Sequence, residues 1–151
     1  MIRPIQAGDR DEWLRMRDAL WPDAFDDHVR EIGMHFQQPR PNTAVFVAVR
    51  ANGKLGGFLE ADTRDYAEGC DTHNVGYIEG WYVDPDLRRQ NIGRALIAAA
   101  ENWARRLGCK EMASDCELHN DVSFKAHLAS GYKEVERVIH FRKSLFPPHN
   151  P

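Results

Sequence analysis

The stretch Ile78-Glu79-Gly80-Trp81-Tyr82-Val83-Asp84-Pro85-Asp86-Leu87-Arg88-Arg89-Gln90-Asn91-Ile92-Gly93-Arg94-Ala95 decides how this chain is read. An apolar run from Val75 to Val83 stops at Asp84-Pro85, and a short basic segment follows from Leu87 to Gly93. A helical pattern then begins, with Ile92, Leu96, Ala100, Trp103 and Leu107 as its apolar positions. Strand, basic turn and helix start together predict an anion site. The first-turn N–H groups have no intrahelical partners, and the helix dipole favours negative charge beside them. Arg88, Arg89 and Arg94 add forked cationic donors suited to phosphate oxygens. The segment reads as a pyrophosphate cradle formed by Arg88, Arg89, Gln90, Asn91, Ile92, Gly93, Arg94 and Ala95; the plainer reading is a basic helix start on a solvated face. It lacks the Lys-Ser/Thr ending of a Walker A loop and the three glycines of a dinucleotide fingerprint.

At 151 residues the chain is expected to form one domain, residues 1–146, with a Pro-rich tail at 147–151. A hydrophobic fraction of 42% with 28% charged residues describes an ordinary globular chain, and a net charge of −3 excludes a general nucleic-acid binder. No apolar run approaches the roughly 18 residues that span a membrane, and Met1-Ile2-Arg3-Pro4 lacks a signal-peptide core. Cys70, Cys109 and Cys116 form no disulfide pattern, and Cys109, Cys116 and His119 lack paired ligand spacing. The expectation is a cytoplasmic protein with no metal, membrane or nucleic-acid partner.

Ile2 to Ile5 alternates as an opening strand, followed by a helix with Trp13, Met16 (or the stem of Arg17) and Leu20 on its apolar face. Trp21-Pro22 ends it. A second helix runs from Asp26-Asp27 through Val29, Ile32 and Phe36. Thr43 to Arg50 and Leu55 to Thr63 read as a hairpin turned by Asn52-Gly53. After the polar loop 64–74 come the strand to Val83, the cradle, and a helix to Leu107 stopped by Gly108. Lys110 to Ser114 is a short strand and Asn120 to Ser130 a helix ended by Gly131. Tyr132 to Phe146 alternates as a final strand, Val135, Arg137, Ile139 and Phe141 against Glu134, Glu136, Val138 and His140. These elements predict an α/β (α+β) chain whose N-terminal half is mostly antiparallel.

Arg88-Arg89-Gln90-Asn91-Ile92-Gly93 resembles the acetyl-CoA loop of the GNAT N-acetyltransferase superfamily, Arg/Gln-x-x-Gly-x-Gly/Ala, with Asn91 at the first glycine. Asn is the non-glycine residue that best tolerates positive φ. Asn120-x-x-Ser123-x-x-x-His127-x-x-x-Gly131-Tyr132 resembles that superfamily's Asn-x-x-Ala/Ser-x-x-x-Tyr-x-x-x-Gly-Phe/Tyr pattern, with His127 at the tyrosine. Leu20-Trp21-Pro22, Glu79-Gly80-Trp81-Tyr82-Val83, Glu111-Met112-Ala113-Ser114-Asp115 and Glu134-Val135-Glu136-Arg137-Val138-Ile139 are similar to segments of the aminoglycoside 6′-N-acetyltransferases. The resemblance spans Ile2 to about Lys143. It implies the GNAT fold, a mixed and mostly antiparallel sheet flanked by helices, with acetyl-CoA as donor, an aminoglycoside 6′-amine as acceptor and a homodimer that shares sheet edges or the C-terminal strand.

The same resemblance implies roles. Glu79 would be the general base, Trp21 and Tyr66 flat faces against sugar rings, and Asp115 and Glu136 carboxylates for ammonium groups, with His28 also on the acceptor side. Trp81, Tyr82 and Val83 would orient the acetyl carbonyl and Asn120 the pantetheine arm. His127 reads either as the acid that protonates the leaving thiol or as a packed, hydrogen-bonded residue. An ammonium is no nucleophile until a base removes a proton, which is why the chemistry needs a carboxylate beside the thioester.

The residue types alone also fit plainer roles: Glu79 a solvated strand residue, Asp115 a cap, Trp21 a core aromatic, Tyr66 an exposed loop residue, and Glu136 a solvated strand charge. Asp26, Asp27, Glu60, Asp62, Asp65 and Glu117 are candidates for an acidic rim. Two other functions compete: acetylation of another small amine, such as a polyamine or amino sugar, and a non-catalytic CoA-binding module.

Overall fold

The computed structural model describes residues 1–148. Five strands form one sheet in the order β1 (Ile2–Pro4), β2 (Thr43–Val49), β3 (Leu55–Arg64), β4 (Val75–Val83) and β5 (Met112–Ser114). The first four pair antiparallel and β5 joins β4 in parallel. The β2–β3 hairpin turns at Asn52-Gly53, where Gly53 takes φ +83°. Alternation along β2 sends Val45 and Val47 to one face and Phe46 to the other.

Helices α1 (Arg10–Leu20) and α2 (Phe25–Gln37) bury Trp13, Met16 and Ile32 against Val45, Val47, Leu55 and Phe58. Helix α3 (Ile92–Arg106) covers the opposite face with Leu96, Ile97 and Ala100 against Phe46, Leu59, Ala61 and Ile78. Gly108 ends that helix region at φ +82°. Helix α4 (Asp121–Ala129) follows β5.

Two irregularities of β4 make the site. Across β3, Ala61 pairs with Ile78 and Glu60 with Gly80, so Glu79 is an extra residue with no partner. This is a β-bulge, a device that re-aims a side chain. On the other edge, pairing with β5 ends at Ile78 and Ser114. Beyond that point β4 stays paired with β3 to Val83, but its other edge has no strand partner among the described residues, which leaves a fork.

The expected final strand is not formed. Residues 132–148 contain no helix or strand, and Val135, Val138, Ile139, Phe141, Leu145 and Phe146 are exposed. The alternation is real, but a strand exists only by pairing, and this segment pairs with no strand among the described residues. Of the tail expected at 147–151, residues 149–151 lie outside the described residues.

Candidate active site

Glu79 stands in the bulge at the mouth of the fork, its side chain 35% exposed. Arg64, the last residue of β3, grips it: Nε and Nη2 donate to Oε1 at 3.1 and 3.0 Å, and Nη2 to Oε2 at 2.9 Å. The same guanidinium lies 3.4 Å above the Tyr77 ring. Tyr77 donates its hydroxyl to Asp115 at 2.5 Å, just past the end of β5. Burial and the Asp115 carboxylate push the Tyr77 phenol well above its ordinary range, so it remains a donor. Glu79 and Asp115, 36 residues apart in sequence, thus meet through Arg64 and Tyr77.

Trp21, just past α1, leans its ring over Gly80, where a Cβ would stand 2.4 Å from Trp21 Cη2. Glycine beside the bulge is therefore what lets an aromatic wall approach Glu79. Tyr66 is 62% exposed in the loop that follows β3.

His28 is buried behind Trp21, with their ring centroids 6.0 Å apart. It is 3% exposed, and its Nε2 meets the Trp21 carbonyl at 2.8 Å. Residue 28 lies on the buried stripe of α2 with Ile32, while Val29, expected on that stripe, is exposed. A helical register shift of one residue separates the two readings. Glu60 also leaves the expected rim: it accepts from Trp13 Nε1 at 2.9 Å and pairs with Arg17 at 3.5 Å beneath α1. Burial raises its carboxyl against the pull of Arg17 and Trp13. Asp62 is engaged by Arg40 and Asn42. Glu136 is exposed on the unpaired segment and makes no hydrogen bond among the described residues, while neighbouring Val135 closes on Gly69.

On the cradle side, Arg89 and Asn91 both adopt left-handed backbone, at φ 64° and 61°. Asn91 serves as the N-cap of α3, and its carbonyl accepts the first helical bond from Ala95 at 3.0 Å. Among the described residues, the N–H groups of Ile92, Gly93 and Arg94 have no protein acceptor, as a diphosphate site requires. A Cβ on Gly93 would stand 3.0 Å from Trp81 Cζ2, and Trp81 Nε1 donates to the Gly93 carbonyl at 3.2 Å. Arg88 and Arg94 are partly engaged, donating to the Val83 and Ala129 carbonyls at 3.0 and 2.9 Å. Gln90 donates to the Asp86 carbonyl.

His127 on α4 faces Trp81 edge-on, with ring centroids 5.2 Å apart. Its Nδ1 lies 2.7 Å from the Ser123 carbonyl and its Nε2 lies 2.7 Å from Ser114 Oγ. A carbonyl only accepts, so the Nδ1 proton is fixed, and in the neutral ring Nε2 accepts the Ser114 hydroxyl. Ser114 is the last paired residue of β5, at the fork. Asn120 caps α4 by accepting from the Ser123 N–H at 3.0 Å.

Three contributors escaped the sequence reading: Arg64, Tyr77 and Ser114. Tyr77 had a signal, since it stands two residues before Glu79. Arg64 and Ser114 needed the register of β3 and β5 against β4.

A fork beside a helix-N-terminal anion cradle, with a carboxylate at its mouth, is the arrangement of an acyl-transfer enzyme that holds a diphosphate-bearing donor. Residues 10–132 match the acetyltransferase (GNAT) family, and the chain belongs to it. It is 47% identical to the aminoglycoside N(6′)-acetyltransferase type 1 of Klebsiella aerogenes, over 96% of this chain and 97% of that one. Among solved structures it is similar to AAC(6′)-Iy in complex with the bisubstrate analog CoA-S-monomethyl-acetylneamine (TM-score 0.86, 37% identity, 95% of this chain and 97% of that chain). It is likewise similar to AAC(6′)-Ih from Acinetobacter baumannii (TM-score 0.88, 35% identity, 96% and 98% covered).

Proposed function

We propose that this chain transfers the acetyl group of acetyl-CoA to the 6′-amino group of aminoglycosides, with Glu79 taking the proton from the acceptor. The observation that carries this reading is the bulged Glu79 at the fork of β4 and β5, close to Trp21 and linked to Asp115. The names of curated relatives at 35–47% identity support the acceptor. The free N–H groups of Ile92 to Arg94 support the donor.

Acetyl-CoA, when bound, supplies an activated thioester. The cradle from Arg88 to Ala95 holds its pyrophosphate, and Asn120 faces the pantetheine arm. Backbone N–H groups along Trp81 to Val83, unpaired on the fork side, orient the acetyl carbonyl and meet the charge that develops on its oxygen. Trp21 and Tyr66 pack against the sugar rings, and Asp115 and Glu136 draw the remaining ammonium groups. Glu79 removes a proton from the 6′-ammonium and hands it to the water it is open to. As the amide forms, the attacking nitrogen gives up its second proton to solvent, and the departing thiolate takes a proton from Ser114 Oγ that a protonated His127 Nε2 replaces. When Nε2 is protonated it donates to Ser114 Oγ, which turns the serine hydrogen towards the fork and the departing sulfur.

The test is thiol release from acetyl-CoA with paired aminoglycosides that carry either a 6′-amine or a 6′-hydroxyl. Turnover confined to the amine set is expected. Turnover on polyamines or simple amino sugars alone would move the acceptor, and acetyl-CoA binding without any turnover would make the chain a binding module.

The protein is proposed to work in the cytoplasm as a homodimer. The alternating segment from Val135 to Phe146, exposed on one chain, supports an association that supplies the missing strand partner. Sedimentation should give twice the chain mass of 17.3 kDa, and Ile139→Asp should reduce it to the monomer. A monomeric wild type removes this part of the proposal.

A further inference from the structure

Arg64 is held on two sides at the mouth of the fork, by the Glu79 carboxylate and by the Tyr77 ring. Its guanidinium makes three bonds of 2.9 to 3.1 Å to Glu79 and stacks 3.4 Å above the Tyr77 ring. Tyr77 is in turn fixed by Asp115. A surface arginine that merely neutralised Glu79 would need no stacking platform; this one sits between a carboxylate and a ring. A carboxylate offers about four lone-pair sites, and Arg64 takes two on Oε1 and one on Oε2, so about one site on Oε2 stays open to the fork. An incoming ammonium can therefore reach Glu79 without evicting Arg64, and its nitrogen then lies close to a fixed positive charge.

That placement matters because the acceptor has a protonation problem. A lysine-type ammonium loses its proton near pH 10.4, so at neutral pH only about one molecule in a thousand is a free amine. A like charge held alongside makes an amine easier to deprotonate, the means by which enzymes activate lysine nucleophiles. We infer that Arg64 is a permanent part of the acceptor subsite, which positions the Glu79 carboxylate and lowers the proton affinity of the amine bound against it. This inference rests on the acetylation reading above. The charged and titratable groups around Arg64 are Glu79 and Tyr77 on β4 and Asp115 beyond β5. His73 in the adjoining loop is tied to the Asp65 carbonyl at 3.2 Å.

The test compares wild type, Arg64→Lys and Arg64→Met with one 6′-amine aminoglycoside from pH 6 to 10. Acetyl-CoA affinity and thermal midpoint are followed alongside. In Arg64→Met the alkaline-rising limb of kcat should move up by about one to two pH units, so that kcat falls about tenfold to a hundredfold at pH 7 and converges with wild type at pH 10. The acceptor KM should fall in the same variant, because a repelling charge has left the site. Arg64→Lys should keep the limb near its wild-type position. A uniform loss of kcat with an unshifted limb and a raised KM would reduce Arg64 to a structural support. An unchanged kcat with a lowered KM would make it an obstacle to binding. Either result overturns the inference. Wild-type turnover separates the two levels, since its absence overturns the acetylation reading itself and the role of Arg64 with it.

Discussion

Glu79→Gln is expected to lower kcat/KM for a 6′-amine acceptor by about 10² to 10³, within the range that general-base catalysis supplies. Glutamine keeps the size of the side chain and one oxygen for the Arg64 fork, so the bulge and the stacking on Tyr77 should persist. What disappears is the negative charge and, on the proposed mechanism, the lone pair that takes the proton. Acetyl-CoA affinity should be unchanged, because the cradle lies beyond Val83 and contacts none of the Glu79 atoms. The deficit should shrink towards pH 10, where the acceptor loses its proton to solvent unaided. His127→Gln provides the contrasting case. It removes the group that orients Ser114, so kcat should fall about tenfold to a hundredfold with little change in the acceptor KM. Initial rates across pH, with both substrates varied, measure both variants. Near-wild-type turnover of Glu79→Gln at pH 7 would show that the proton leaves by another route, and the assignment of Glu79 as base would be abandoned.

The parts of this site that a sequence can announce are those built from neighbours along the chain. The basic turn, the helix start at Ile92 and the αL position at Asn91 all follow from local backbone preferences, and Asn91 takes φ 61° as its tolerance of that region suggests. The Asn52-Gly53 hairpin, the Gly108 stop and the Asn120 cap are legible for the same reason. The bulge at Glu79 is not local. It arises because β3 offers one residue fewer than β4 between Ala61 and Glu60, and no period in β4 alone reveals that. His28 and Val29 show the related limit in a helix, where a stripe is known to about one residue and the wrong neighbour is assigned to the surface. The final strand fails in a third way. Alternation from Val135 to Phe141 states which face wants burial, but a strand needs an edge to pair with, and among the described residues β5 is three residues long and pairs only with β4. The alternation is readable in the sequence; the edge that would pair with it is not.

Asp84→Asn should be the most damaging single change outside the hydrophobic core, lowering stability by about 2 to 3 kcal/mol and the thermal midpoint by about 5 to 10 °C. Asp84 is 5% exposed at the point where β4 gives way to the cradle loop. Its Oδ1 accepts from Arg15 at 3.0 Å, and its Oδ2 accepts from Arg15 and Arg50 at 3.0 and 2.8 Å. Its backbone N–H is bonded to the Gly56 carbonyl, so strand, hairpin and α1 are fastened together at one residue. Asparagine would turn an amide N–H₂ towards guanidinium donors and leave a nearly buried donor-to-donor contact. The figure sits below the 3–5 kcal/mol typical of a broken buried pair because Arg15 retains Glu12, Arg50 retains Asp86, and the Arg15 side chain is 45% exposed. The pH dependence fixes the cause. Burial pushes the Asp84 carboxyl up, but the two arginine forks outweigh it and hold it below the ordinary carboxylate value. A group depressed in this way stabilises fully above its unfolded value of about 3.9 and loses that contribution as pH falls through the lower folded value. The gap in thermal midpoint between wild type and Asp84→Asn should therefore be constant from pH 8 to about pH 5 and close only below about pH 4. A gap that closes near neutrality would point to a different titrating group. No gap at any pH would mean that the arginine forks decorate the loop without holding it.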